Sequence, residues 1–242
     1  MLNFKKEKKL WRKGYKYIIG LDEVGRGALA GPVVAAAVMI KKFSISGIKK
    51  NVNLIKDKKD FQQFSTIKDS KKLTVKKREE FYKNIISHQN IKWGIGIVSE
   101  KIIDKINILE ATKLAMKKAV NELIFKNFIQ CSLNKKFLTN KKNLISKTFL
   151  ILDGKINLNL PISQEGIIKG DEKVFSCAVA SIIAKVTRDR IMEKFAKKFF
   201  NYGFEKHKGY LTKFHLKMLK KFKRCVIHRY SFYYGSTKAK TY

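Results

Sequence analysis

Asp22 and Glu23 are adjacent in the stretch YIIGLDEVGRGALAGPVVAAAVMI, Tyr17–Ile40, which is otherwise mostly apolar. Asp153 closes the run FLILD, and Asp171 follows Gly170 shortly after the apolar pair Ile167 and Ile168. Each acid stands where a buried strand gives way to a turn, and the ends of neighbouring strands can converge on one spot. Four carboxylates brought together repel one another and resist joint ionisation. A divalent cation removes that conflict, and an all-oxygen donor set suits Mg²⁺ or Mn²⁺ rather than zinc. Two such ions about 4 Å apart activate water and stabilise a leaving oxygen, as phosphodiester cleavage requires. A single Asp at a strand end ordinarily serves a turn or a helix cap, so spacing alone leaves both readings open.

The elements that must position these acids read as alternating strands and helices. Tyr17–Leu21 and Gly31–Ile40 are strands joined as a hairpin through a glycine-marked turn at Gly25 and Gly27. Thr74 caps a helix reaching about His88, with Phe81, Ile85 and Ile86 on its inner face. Lys92–Ser99 alternates as a strand. Ser99 starts a short helix, and Ile108–Phe128 is a second one with Leu109, Leu114, Ala115, Val120 and Leu123 toward the core. Phe149–Leu152 and Ile167–Ile168 are short strands, Val174–Phe200 a long helix, and Thr212–Phe222 a last amphipathic helix. This order predicts an α/β sheet domain. Residues 1–16 form a basic extension and 17–234 the folded domain, with Lys-rich loop insertions near 41–68 and 130–147 and a loose tail over 235–242.

Charge points to the partner. The 242 residues carry 54 Lys and Arg against 19 Asp and Glu, a formal +35 at pH 7. Such a field favours a polyanion, and nucleic acid first. Only seven of the 54 are Arg, a bias that an AT-rich genome also produces, so charge supports a nucleic-acid partner without identifying it. The hydrophobic share of 45% suffices for a core and excludes wholesale disorder. Cys131, Cys177 and Cys225 are odd in number and far apart, which indicates neither a disulfide framework nor a zinc site. They fit a reducing cytoplasm. Segment 1–16 lacks the apolar stretch of a secretory signal, and no run approaches the roughly 20 apolar residues of a membrane helix.

Taken in order, GLDEVGRGALAGPVVAAAV, DSKKLT, NILEATKLAM, LDG, KGD, ASIIAKVTRDR, HKGY and HRYSF resemble the motifs of the type 2 ribonuclease H family, ribonuclease HII. The resemblance covers about Tyr17–Ile40, Lys68–Phe125 and Phe149–Phe232. It implies an RNase H-like fold, a mixed five-stranded sheet flanked by helices with a helical C-terminal region. It also implies hydrolysis of the RNA strand of RNA–DNA hybrids, and incision 5′ of ribonucleotides embedded in duplex DNA. The ends left are a 3′-hydroxyl and a 5′-phosphate. Carried over residue by residue, Asp22, Glu23, Asp153 and Asp171 look like the four catalytic, metal-binding acids, holding Mg²⁺ or Mn²⁺, two ions when substrate is bound. Asp189 in VTRDR competes for the fourth place, but its position inside a helix beside Arg188 and Arg190 suits an ion pair better.

Gly25, Arg26 and Gly27 match the element that senses the ribose 2′-hydroxyl. Tyr210 matches the tyrosine that packs on the neighbouring deoxyribose. Ser70 and Lys71 are candidate phosphate contacts, Lys185, Thr187 and Arg188 weaker ones; packing explains His207 at least as well as a groove role. Ala28 stands where the family often has Pro. The short stretch before the first strand argues against the sister type 3 enzyme. The resemblance implies a monomer, and no protein partner is identifiable. Two other classes compete: a decayed family member that binds RNA–DNA duplex without cutting it, and a generic basic RNA-binding protein. Intact acids argue against the first, the ordered motifs against the second.

Overall fold

The computed structural model describes residues 4–40, 73–129 and 143–232. Its centre is a five-stranded sheet in the order β3-β2-β1-β4-β5. The strands are β1 (Tyr17–Val24), β2 (Val33–Ile40), β3 (Ile91–Val98), β4 (Thr148–Asp153) and β5 (Ser163–Ile167). β1 and β2 are antiparallel, with Ile18 opposite Ile40 and Val24 opposite Val34. β2 and β3 are also antiparallel. β4 runs parallel to both β1 and β5, so the sheet is mixed.

Burial on both faces explains the composition of the central strands. Every residue of β2 (VVAAAVMI) is buried, as expected of a strand covered on two sides. Ala35 and Ala37 face one cluster with Ile19, Leu21, Leu150 and Leu152. Ala36 and Val38 face the other. Helix α3 (Glu100–Ile124) covers the first face through Ala111, Ala115, Met116, Ala119 and Leu123. Helix α5 (Phe175–Lys198) covers the second, with α2 (Val75–Ser87) beside it. Gly20 lies against the α5 backbone at Ser176 and Cys177, so a side chain there would push helix and sheet apart.

Several local expectations shift. On α2, Thr74 does cap, accepting the Lys77 N–H. Ile85 is buried, but Ile86 is exposed and Arg78 and Tyr82 occupy the inner face. The two expected helices after Ser99 are one element broken at Asn107, whose φ of 64° is non-helical. The Asn107 side chain accepts the N–H groups of Leu109 and Glu110, capping the second half, while Ser99 makes no side-chain cap. That break turns Leu109 outward, and Ala111 and Met116 fill the core instead. β5 lies earlier than expected and ends at Ile167, leaving Ile168 exposed.

Within the basic residues 1–16 lies helix α1 (Lys5–Arg12). Leu10 and Trp11 pack with Ile18, Ile151 and Cys177. Glu7 is fully buried, and its Oε1 accepts both the backbone N–H and the hydroxyl of Ser176 at 2.9 Å. Val174 offers α5 no side-chain cap, so a carboxylate from a distant helix satisfies the orphan donor. Most of the two Lys-rich insertions and the tail from 235 lie outside the described residues.

The helical C-terminal region comprises α6 (Phe204–His207) and α7 (Lys213–Phe222), joined to the strand hairpin by a small backbone ladder. The Leu29 N–H donates to Gly209, the Gly31 N–H to Ile227 and the Arg229 N–H to Leu29, each at 2.8 Å. Residues 28–31 thus lie between residues 209–210 and 227–229, with bridges Ala28–Tyr210 and Ala30–His228. No helix among the described residues is long and apolar enough to cross a membrane.

Candidate active site

Parallel pairing of β1 and β4 brings two acids together. Leu21 stands opposite Leu152, so the next residues, Asp22 and Asp153, emerge side by side at the carboxyl end of the sheet. Asp171 enters from α4 (Gly170–Lys173), the single turn that follows β5. The Gly170 N–H donates to Asp153 Oδ1 at 2.7 Å, fixing that turn against the end of β4. One carboxylate oxygen from each of Asp22, Asp153 and Asp171 lies within 4.8 Å of the others, and Asp22 and Asp171 are buried.

The cluster is electrostatically unfavourable by itself. Burial, then the neighbouring Glu23 and Asp153, hold the Asp22 carboxyl well above the usual carboxylate range, while a Ser181 hydrogen bond opposes them. Asp22 Oδ1 also accepts the Glu23 N–H at 2.8 Å. Burial raises Glu23 as well, against the pull of Arg26. Glu23 stands apart from the triad: its Oε1 pairs with Arg26 at 3.1 Å, and its buried Oε2 has no hydrogen-bond partner among the described residues. Crowded acids with an orphaned oxygen beside them fit a divalent cation, which would neutralise the repulsion and take up the free lone pairs.

Asp189 lies elsewhere. Its carboxylate pairs with Lys185 at 2.8 Å and Arg78 at 3.7 Å, linking α5 to α2. That is a structural ion pair, although its partners are not the flanking arginines.

The Gly25-Arg26-Gly27 turn follows Asp22 and Glu23 after Val24, with Arg26 and Gly27 exposed and Gly25 buried. Gly25 has φ +93°, and a Cβ there would collide with the Arg188 guanidinium. Arg188 is not a surface contact. It is fully buried and donates to the carbonyls of Pro32, Ala30 and Lys208 at 2.9, 3.0 and 2.9 Å. Its Cζ lies 5.2 Å from the centre of the half-buried Tyr210 ring. A second buried guanidinium, Arg229, donates to Gly31 and to the carbonyl of Arg26. Burial, with Arg188 nearby, brings Arg229 down to about 9, still protonated at neutral pH. Two buried cations therefore tie the glycine turn to the Tyr210 segment. Ala28 is also bonded here, its N–H donating to Gly25 at 3.4 Å, a bond a proline could not make.

Read from sequence, Ser181 and Arg229 have no role and Arg188 is a weak phosphate contact; Ser181 sits on a small-residue helix face, and the two arginines sit in the RDR and HRY runs. Their signal is residue type: in a chain of 47 Lys and seven Arg, an Arg marks a place where the planar fork is used. Ser70 and Lys71 lie outside the described residues.

The comparisons with known proteins agree with this geometry. The family model for Ribonuclease HII matches residues 19–234. The chain is 42% identical over 230 residues to Ribonuclease HII of Caldicellulosiruptor bescii, covering 95% of this chain and 92% of that protein. Among solved structures, the ribonuclease HII of Archaeoglobus fulgidus in its PCNA complex shares the fold, with TM-score 0.62 and 22% identity over 92% of this chain and 98% of that one. A Bst-RNase HIII solved in complex with Mn²⁺ superposes with TM-score 0.57 at 15% identity, over 88% of this chain and 65% of that one. With its mixed five-stranded sheet, its acid triad and this match along nearly its whole length, the chain belongs to the ribonuclease HII family.

Proposed function

We infer that this protein is a metal-dependent endonuclease that hydrolyses the RNA strand of RNA–DNA hybrids and incises duplex DNA 5′ of embedded ribonucleotides. It acts as a monomer in the cytoplasm and leaves 3′-hydroxyl and 5′-phosphate ends. The observation that carries this is the convergence of Asp22, Asp153 and Asp171 within 4.8 Å, with Asp22 three residues before Gly25 of the glycine turn.

Asp22, Asp153, Asp171 and the free oxygen of Glu23 would hold Mg²⁺ or Mn²⁺, two ions in the presence of substrate; the related Bst-RNase HIII was solved with Mn²⁺. When bound, such ions supply Lewis-acid polarisation of the phosphodiester and a more acidic water. The chain's own groups do the rest. The excess of Lys draws in the duplex. Gly25 and Gly27 let the backbone approach the ribose and read its 2′-hydroxyl. Arg26, exposed and paired with Glu23, can exchange that partner for a phosphate. Tyr210, backed by Arg188, presents an aromatic face to a sugar that lacks the hydroxyl. Ser70 and Lys71 would add phosphate contacts.

The test uses three labelled substrates: a DNA duplex with one ribonucleotide, its all-DNA counterpart and a long RNA–DNA hybrid. Each is incubated with Mg²⁺, with Mn²⁺ or with a chelator. Incision of the first on the 5′ side of the ribonucleotide, with ends that a polymerase extends and a ligase joins, is expected only with metal. Cleavage that survives the chelator, or that treats the all-DNA duplex equally, would contradict the assignment. Binding without incision in either metal would favour a non-catalytic duplex binder.

A further inference from the structure

Three histidines of the C-terminal region remain outside this mechanism. His215 and His228 are wholly buried. Their ring nitrogens form a chain. Cys225 donates its N–H to His228 Nδ1 at 2.9 Å. His228 Nε2 lies 3.1 Å from His215 Nε2. His215 Nδ1 lies 3.0 Å from the carbonyl oxygen of Tyr210.

Only one placement of protons satisfies both ends of that chain. The Tyr210 carbonyl can only accept, so His215 carries its proton on Nδ1 and offers a lone pair at Nε2. His228 must then donate from Nε2, which leaves its Nδ1 with the lone pair that the Cys225 N–H requires. The Cys225 carbonyl and thiol, 3.2 and 3.1 Å from Nδ1, would allow the reverse tautomer of His228. That tautomer forces a lone pair of His215 against the Tyr210 carbonyl and is excluded. A further proton on either ring sets donor against donor.

We propose that His215 and His228 form a neutral imidazole relay that fixes Tyr210, and that they are positioning residues for recognition of the deoxyribose beside the cut. The backbone already pairs Tyr210 and His228 with opposite sides of residues 28–31. The relay closes that ladder into a ring, so the Tyr210 carbonyl cannot drift from the glycine turn. His215 itself is set by the α7 cap, its N–H donating to Thr212 Oγ1 at 3.1 Å. The groups around the pair keep it uncharged. His207 stacks on His215 at 4.3 Å between ring centres, and the Phe204 ring meets both. Tyr202 packs on His228, and Arg224 adds a like charge near it. Burial is the main reason that both rings are held down to about 4.

The proposal rests on the assigned junction-cutting activity, so the wild-type protein is assayed first; failure there would be a failure of that assignment, not of the relay. Two variants then separate positioning from packing. The amide nitrogen of His215→Asn falls where Nδ1 was and can still donate to Tyr210, whereas that of His215→Gln falls near Nε2 and cannot. We expect His215→Gln to lose about tenfold in kcat/KM on the single-ribonucleotide duplex and less than twofold on a long hybrid, where a ribose faces Tyr210. His215→Asn should retain most of the preference. In a Tyr210→Ala background, His215→Gln should leave the substrate ratio unchanged. Equal losses on both substrates, equal behaviour of Asn and Gln, or an undiminished effect without the Tyr210 ring would overturn the proposal. Should the variants fail to fold, ring ¹⁵N shifts of the wild-type protein decide. Nδ1–H on His215 and Nε2–H on His228 from pH 7 to 5 are expected, and the opposite tautomers would overturn it.

Discussion

The Arg188 guanidinium lies beneath the Tyr210 ring, 5.2 Å from its centre, and is bonded to three backbone carbonyls. The same side chain lies against Gly25. One buried cation therefore touches both the glycine turn and the aromatic residue assigned to the junction. Gly25→Ala would drive a methyl group into that guanidinium at a φ of +93°. The expected cost is about 1–3 kcal/mol of stability, seen as a lower Tm. Incision at a single ribonucleotide should fall further than binding of all-DNA duplex. A variant with unchanged Tm and unchanged incision would show that the turn does not depend on this contact.

Asp22→Asn separates chemistry from stability. Removing one charge from three carboxylates within 4.8 Å relieves repulsion, and an amide oxygen still accepts the Glu23 N–H. The metal-free variant should be more stable than wild type by about 1 kcal/mol, yet show no metal-dependent cleavage and a smaller rise in Tm with Mn²⁺. Thermal melts with and without Mn²⁺ check this; a metal-free variant less stable than wild type would mean that the acids do not repel.

The central strands are legible as apolar or alternating runs, as in VVAAAVMI and KWGIGIV, and the long helices as long segments of helical periodicity. The meeting of Asp22 with Asp153 was not legible from spacing. It depends on β1 and β4 running parallel in one register, a pairing between segments more than a hundred residues apart. The family motifs supplied that link. Helix α1 is hard to read because the seven Lys and Arg of residues 1–16 hide a short stripe, Glu7, Leu10 and Trp11, at i, i+3 and i+4. Leu109 was misplaced for a local reason: the non-helical Asn107 resets the phase of the helix.

That hidden stripe carries its own prediction. Glu7 satisfies the start of α5, the helix that packs on Gly20 two residues before Asp22. Glu7→Ala should cost about 1–3 kcal/mol through the lost acceptor. Glu7→Gln, which keeps an acceptor and removes a buried charge, should cost much less. Chemical denaturation of the two variants tests the order, and an equal loss would assign the effect to packing rather than to the cap.

The histidine pair gives stability an acid limit. In the folded protein His215 and His228 are held at about 4, below their ordinary value of 6.5. Between those values the unfolded chain binds protons that the folded one does not, so stability falls with pH across that window. Stability should be level above about pH 6.5 and decline as pH drops toward 4. His228→Asn should flatten that decline even if it lowers Tm at neutral pH. A wild-type Tm that is constant from pH 7 to 4.5 would contradict neutral, buried imidazoles.

Asp171 stands in the acid cluster and Asp189 in an ion pair with Lys185 and Arg78, and the two can be compared on one substrate. The measurement is Mg²⁺- and Mn²⁺-dependent incision of a DNA duplex carrying one ribonucleotide by wild type, Asp171→Asn and Asp189→Asn. The expected result is incision 5′ of the ribonucleotide by wild type and by Asp189→Asn, with none above background by Asp171→Asn. Full activity in Asp171→Asn, or no metal-dependent incision by wild type, would contradict the acid cluster as the seat of catalysis.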